Sequence, residues 1–128
     1  MKIAKIDHLV LTVTYIEATC SFYERTLGMK SIEFEGNRKA LIFNQCKINL
    51  HQLGNEFEPK AGRPTAGSAD LCLITDSTAA EIKAHLLSQN VEIEQGPVPR
   101  TGANGSITSF YFHDRDENLI EISTYQDQ

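Results

Sequence analysis

Twice along this chain, alternating apolar and polar residues give way to helical spacing and then resume alternation. "IDHLVLTV", residues 6–13, reads as a strand with two faces, because successive strand residues point to opposite sides. Leu9, Leu11 and Val13 form its apolar face; Ile6, His8, Val10 and Thr12 form a mixed one. Residues 15–27 place Ile16, Cys20, Tyr23 and Leu27 in one helical stripe, and Gly28 supplies a stop. "MKSIEFEG", "RKALIFN" and "KINLHQL" then read as three short strands.

"GNEFEPKAGRPTAGS", rich in Gly, Pro and charge, reads as a linker. After it the order recurs. "SADLCLIT" is a strand, 78–89 a helix with Ala79, Ile82 and Leu86 on one side, and Asn90 its left-handed stop. "VEIEQG", "SITSFYFH" and "NLIEIS" read as strands, and "GPVPRTGANG" as a turn-rich loop. Asp70 follows His8 by the same number of residues as Asn90 follows Gly28. The pattern predicts an α+β chain of two tandem βαβββ units, about 1–56 and 67–126, in a single domain over 1–128. Each unit's curved sheet has a helix on one face only, so the two are expected to wrap their other faces around a shared cavity.

Composition narrows the function. The chain has 128 residues, 41% hydrophobic, with a net charge of −5 and a pI near 5.3. That suits one compact domain, and without a basic stripe nucleic acid is not an expected partner. No apolar run of membrane length and no secretory leader is read, so a cytoplasmic protein without a membrane partner is expected. Cys20, Cys46 and Cys72 form no C-x-x-C pair, which argues against a disulfide framework or thiolate zinc site; Cys72, between two leucines, reads as a core side chain.

"NLIEIS" sets a carboxylate, Glu121, between two isoleucines. Alternation turns Ile120 and Ile122 towards the helix and Glu121 away from it. The same rule turns His8, Asp70, and Asn49 with His51 to the helix-free faces. His8, His51, Asp70 and Glu121, two imidazoles and two carboxylates, make a ligand set for a divalent transition metal. A cation there offsets the cost of a desolvated carboxylate. His85 and His113 read as solvated instead.

"IDHLVLTV", "FYERTLGM", "SFYFHDRDEN" and "NLIEIS" together resemble the vicinal oxygen chelate superfamily: glyoxalase I, fosfomycin-modifying enzymes, extradiol dioxygenases and bleomycin-binding proteins. "GSADLCLIT" and "GPVPRTGANGSITSFYF" are similar to its glyoxalase-domain-containing branch. The resemblance implies that His8 and Glu121 are metal ligands. Asp70 stands where histidine is usual. On "KINLHQL", Asn49 matches the usual Glu or Gln position at least as well as His51, which is preferred because imidazole binds these metals better than an amide. The resemblance implies a divalent metal (Zn, Ni, Mn or Fe), a small-molecule substrate chelated through vicinal oxygens, and a homodimer. Glu121 would also be the catalytic proton shuttle, with Arg100, Ser109 and Tyr111 contacting substrate. The main expectation is a glyoxalase- or lyase-like metalloenzyme. The alternatives are an iron(II) extradiol-type dioxygenase and a non-catalytic small-molecule or antibiotic-binding protein.

Overall fold

The computed structural model describes residues 1–126, which fall into two units, Met1–Gly67 and Ser68 onward. In the first unit β1 (His8–Val13), α1 (Ile16–Leu27), β2 (Lys30–Phe34), β3 (Arg38–Phe43) and β4 (Cys46–Gln52) follow in order. The second repeats the series as β5 (Asp70–Ile74), α2 (Ala79–Ser88), β6 (Gln95–Gly102), β7 (Gly105–His113) and β8 (Leu119–Thr124). The sheets have the same order, β1-β4-β3-β2 and β5-β8-β7-β6, with the first strand of each unit parallel to the last and the other pairs antiparallel. The α+β class and the duplicated βαβββ unit are thus present as the pattern predicted.

Each helix covers the apolar face of its own sheet. In the first unit Leu11, Val13, Leu41, Ile48 and Leu50 are buried together with Cys20 and Tyr23 of α1. In the second, Phe110, Phe112, Ile120 and Ile122 are buried with Ile82 and Leu86. Each fully buried large apolar side chain contributes roughly 1.5–3 kcal/mol, so these pairings hold the strands in register. The helix ends use the expected chemistry. Gly28, at φ 68°, closes α1 by donating to the Glu24 carbonyl, and Asn90 adopts a left-handed φ of 59° just past α2. Thr78 opens α2 with a capping box: its hydroxyl accepts from the Glu81 N–H at 3.3 Å, and the Glu81 carboxylate accepts from the Thr78 N–H at 2.8 Å.

Two local expectations are corrected. Residues 91–94 are not strand, and the segment read as a loop forms β6, so Arg100 is a strand residue. Pro97 and Pro99 suggested a loop, but β6 is the outer strand of its sheet, where missing N–H donors are tolerated. Cys72 is exposed rather than core, because β5 turns Leu71 and Leu73 to the helix and Cys72 the other way, opposite Glu121.

Candidate functional site

In the second unit, a polar knot fixes where β8 begins. The Asp114 carboxylate accepts from the Asp116 and Asn118 N–H groups and from the Asn118 side-chain amide, each at 2.9 Å. Asn118, almost wholly buried, in turn accepts from the Ala69 N–H at 2.9 Å. "HDRDEN" therefore ties the β7–β8 turn to the start of β5 and sets the register that pairs Cys72 with Glu121.

Glu121 is half-buried on the helix-free face. Its Oε2 accepts from the Ser109 hydroxyl at 2.6 Å and from the Ser123 hydroxyl at 3.3 Å, and the two hydroxyls are 2.7 Å apart. Both serines are fully buried. The Cys72 thiol lies 3.3 Å from the Ser123 hydroxyl, and although the residue as a whole is exposed, partial desolvation of its sulfur is the main cause pushing it above the usual thiol range. Tyr111 is the strand partner of Glu121, and its hydroxyl accepts from Arg100 Nε at 2.9 Å. Arg100, Ser109, Tyr111 and Glu121 are thus brought together on one sheet face. Ser123 and Cys72 join them, both missed from sequence because serine and cysteine beside isoleucines and leucines look like filler. Asp70 is exposed at the start of β5.

In the first unit, His8 opens β1 with its side chain 43% exposed, and its Nδ1 is 2.7 Å from the Asp7 carboxylate. That bond, foremost, holds the Asp7 carboxyl below its ordinary range. A carboxylate on one ring nitrogen is the usual support for a metal-binding imidazole, which then offers the other nitrogen.

Register separates Asn49 from His51. His8 pairs with Lys47, and Asn49 lies two residues further along β4. Asp70 pairs with Leu119, and Glu121 lies two residues further along β8. Asn49 is thus the internal equivalent of Glu121, and His51 the equivalent of Ser123. The Asn49 Oδ1 is buried with no hydrogen-bond partner, the one such side-chain atom among the described residues. His51 is buried edge-on to Phe57, their centroids 5.8 Å apart, and burial first, then the Arg38 charge, lowers its pKa.

Among the described residues no three of His, Cys, Asp or Glu form a group able to hold a metal ion. His85 is exposed, as expected. His113 is exposed too, with Nδ1 2.6 Å from the Glu94 carboxylate, a bond that raises its pKa. No helix is long and apolar enough to cross a membrane among the described residues.

Two βαβββ units of one strand order, carrying polar residues at matched positions on their helix-free faces, define a vicinal oxygen chelate fold. The chain belongs to the Glyoxalase/Bleomycin resistance protein/Dioxygenase superfamily, whose family model matches residues 5–122. It is 56% identical over 125 residues to virulence protein STM3117 of Salmonella typhimurium, covering 98% of this chain and 87% of that protein. The crystal structure of that protein superposes with a TM-score of 0.96 over 98% of this chain and all of the other. Glyoxalase domain-containing protein RDO1 of Mycosarcoma maydis is 48% identical over 127 residues, 99% of this chain and 72% of the relative. At the level of fold alone, the fosfomycin resistance protein FosX of Listeria monocytogenes, crystallised with Mn(II) and sulfate, matches with a TM-score of 0.67 at 17% identity, over 98% of this chain and 93% of that one.

Proposed function

We propose that this protein is a metal-dependent enzyme of the vicinal oxygen chelate type, acting on a small molecule with adjacent oxygens. Its candidate metal-binding residues are, in the first unit, His8 and Asn49 and, in the second, Asp70 and Glu121. The observation that carries this reading is the internal register: the two-residue step from the partner of the first strand's opening residue leads to Asn49 in one unit and to Glu121 in the other. Asn49 takes the place that the sequence reading gave to His51. Its orphaned Oδ1 needs a donor or a cation, whereas a cation beside His51 would meet the Arg38 guanidinium.

The donor types in each unit suit a divalent ion. An imidazole nitrogen and an amide oxygen in the first unit, and carboxylates in the second, are donors that the harder first-row metals accept, and Mn(II) in the Listeria monocytogenes protein is consistent with this. When bound, such an ion supplies Lewis-acid polarisation of substrate oxygens. The chain's own residues do the rest. Asp7 orients the His8 ring. Ser109 and Ser123 hold Glu121 through Oε2 and leave Oε1 outside that pair of bonds, so the carboxylate can accept a substrate proton and return it. Arg100, bonded to Tyr111, can pair with an anionic substrate group.

Metal content of purified variants tests the reading. Glu121→Gln and Asn49→Ala are expected to lose much of the bound metal and the rise in melting temperature that added metal gives; His51→Ala is expected to keep both. Full metal retention by Glu121→Gln would overturn the ligand assignment, and loss only in His51→Ala would restore His51 to it.

A further inference from the structure

On the sheet of the first unit two cations rest on aromatic rings rather than on carboxylates; a third, Arg25 on α1, lies over Phe22. The Arg38 guanidinium lies 4.4 Å from the Phe57 ring centroid, and the Lys47 ammonium 4.2 Å from that of Phe34. Neither is in an ion pair among the described residues. Both belong to the helix-free face. Leu41 pairs with Ile48 and Lys39 with Leu50, so the alternate positions Arg38, Lys47, Asn49 and His51 point the other way. Arg38 stands one step beyond the Lys39–Leu50 pair, beside His51, whose ring also leans on Phe57.

The carboxylates nearby are committed elsewhere. Glu56 accepts from the Gly54 N–H at 2.8 Å, and Glu56 and Glu58 lie 3.7 and 3.3 Å from the Lys60 ammonium. Asp7, which feels Lys47, is bonded to His8. A guanidinium stacked on a ring keeps its edge N–H donors and loses little freedom when they engage an anion. The half-buried Arg38 guanidinium has no carboxylate at ion-pair distance among the described residues, so its edge donors are left to water or to a ligand's anionic group.

We propose that Arg38, with Lys47 and the His51 ring on the same face, binds an oxyanion group of a small-molecule ligand, a carboxylate or a phosphate. The inference rests on the proposed function and extends it by assigning an anion subsite to the first unit, apart from Arg100. The anion binding itself needs no metal.

The test follows the Arg38 Nε–H resonance by NMR while the full chain is titrated with inorganic phosphate and, separately, with acetate. Chelator is present and ionic strength is held with chloride. At least one anion is expected to give a saturable shift, the tighter one identifying the group. Arg38→Gln, followed through the His51 ring resonances, should weaken that binding by about tenfold or more, the order that one charge-assisted hydrogen bond supports. Arg38→Lys, which keeps the charge and should fold even where Gln does not, is expected to bind several-fold more weakly because the planar fork is gone. Shifts no larger than those with chloride, or wild-type affinity in either variant, overturn the proposal. Metal content is read separately, on wild-type protein purified without chelator. No anion binding by a wild-type chain that does hold metal sinks this inference alone, and anion binding by a wild-type chain that holds no metal sinks only the metal reading.

Discussion

At the scale of single residues, Glu121 shows how burial and hydrogen bonding turn a common strand glutamate into a candidate ligand. Two fully buried hydroxyls converge on one of its oxygens. Removing the nearer hydroxyl tests whether this matters. Ser109→Ala should cost about 1–3 kcal/mol in chemical denaturation, because the Ser123 hydroxyl and the Glu121 carboxylate both lose a partner. It should also weaken metal retention without abolishing it, since the carboxylate remains. A change of a few tenths of a kcal/mol, with metal content unaltered, would show that the serines only fill space. His8, Asp70 and Glu121 were visible in the sequence because strand alternation alone turns them from the helix. Asn49 and His51 share that alternation, so pattern could not separate them. Donor strength favoured the imidazole, and only the strand register, with the unpartnered Oδ1, favours the amide. Cys72 was misjudged because two leucine neighbours in sequence are on the opposite face in space.

At the scale of elements, the long apolar–polar alternations and the two helices were readable because core packing enforces them. β6 was not, since an outer strand needs neither alternation nor a full set of N–H donors. What holds it is close backbone approach. Gly96 has φ 130°, and a β-carbon there would stand 2.6 Å from the Ser109 carbonyl oxygen and 2.8 Å from the Phe110 Cα. The register between β6 and β7 is irregular at this point, between Gln95 and Val98. Gly96→Ala should therefore destabilise the protein by about 2 kcal/mol or more, combining backbone strain with overpacking against main chain. It should also disturb Ser109, the donor to Glu121, so metal affinity should fall with stability. Gly105→Ala is the control: its φ of 127° is also strained, but a β-carbon there meets nothing within 4 Å. The smaller loss expected from Gly105→Ala separates the cost of the clash from that of the backbone angle; equal losses in the two would mean that the close approach at Gly96 contributes nothing.

At the scale of the whole molecule, duplication was readable because both units keep the same interval between first strand and helix end, although their side chains have diverged. The outer strands carry a further implication. β2 presents Lys30 and Glu33, and β6 carries two prolines, features that discourage pairing with another chain. β1 and β5 are outer strands of a different kind. Val10 is 44% exposed and Ile74 52%, and Ile6, just before β1, is 78% exposed. Aliphatic groups left open along strands of this sort are surfaces for association. We expect a homodimer that covers Ile74. Sedimentation velocity at micromolar concentration should show a species of about twice the 14.3 kDa chain mass. Ile74→Lys should move it towards monomer, because burying one such side chain is worth about 1.5–3 kcal/mol per copy, enough to weaken association by at least about tenfold. Leu87→Lys, an equally exposed change on α2 rather than on a strand, should leave the dimer intact. A wild-type chain that sediments only as a 14 kDa species refutes the dimer, and equal dissociation by both lysines would place the interface somewhere other than β5.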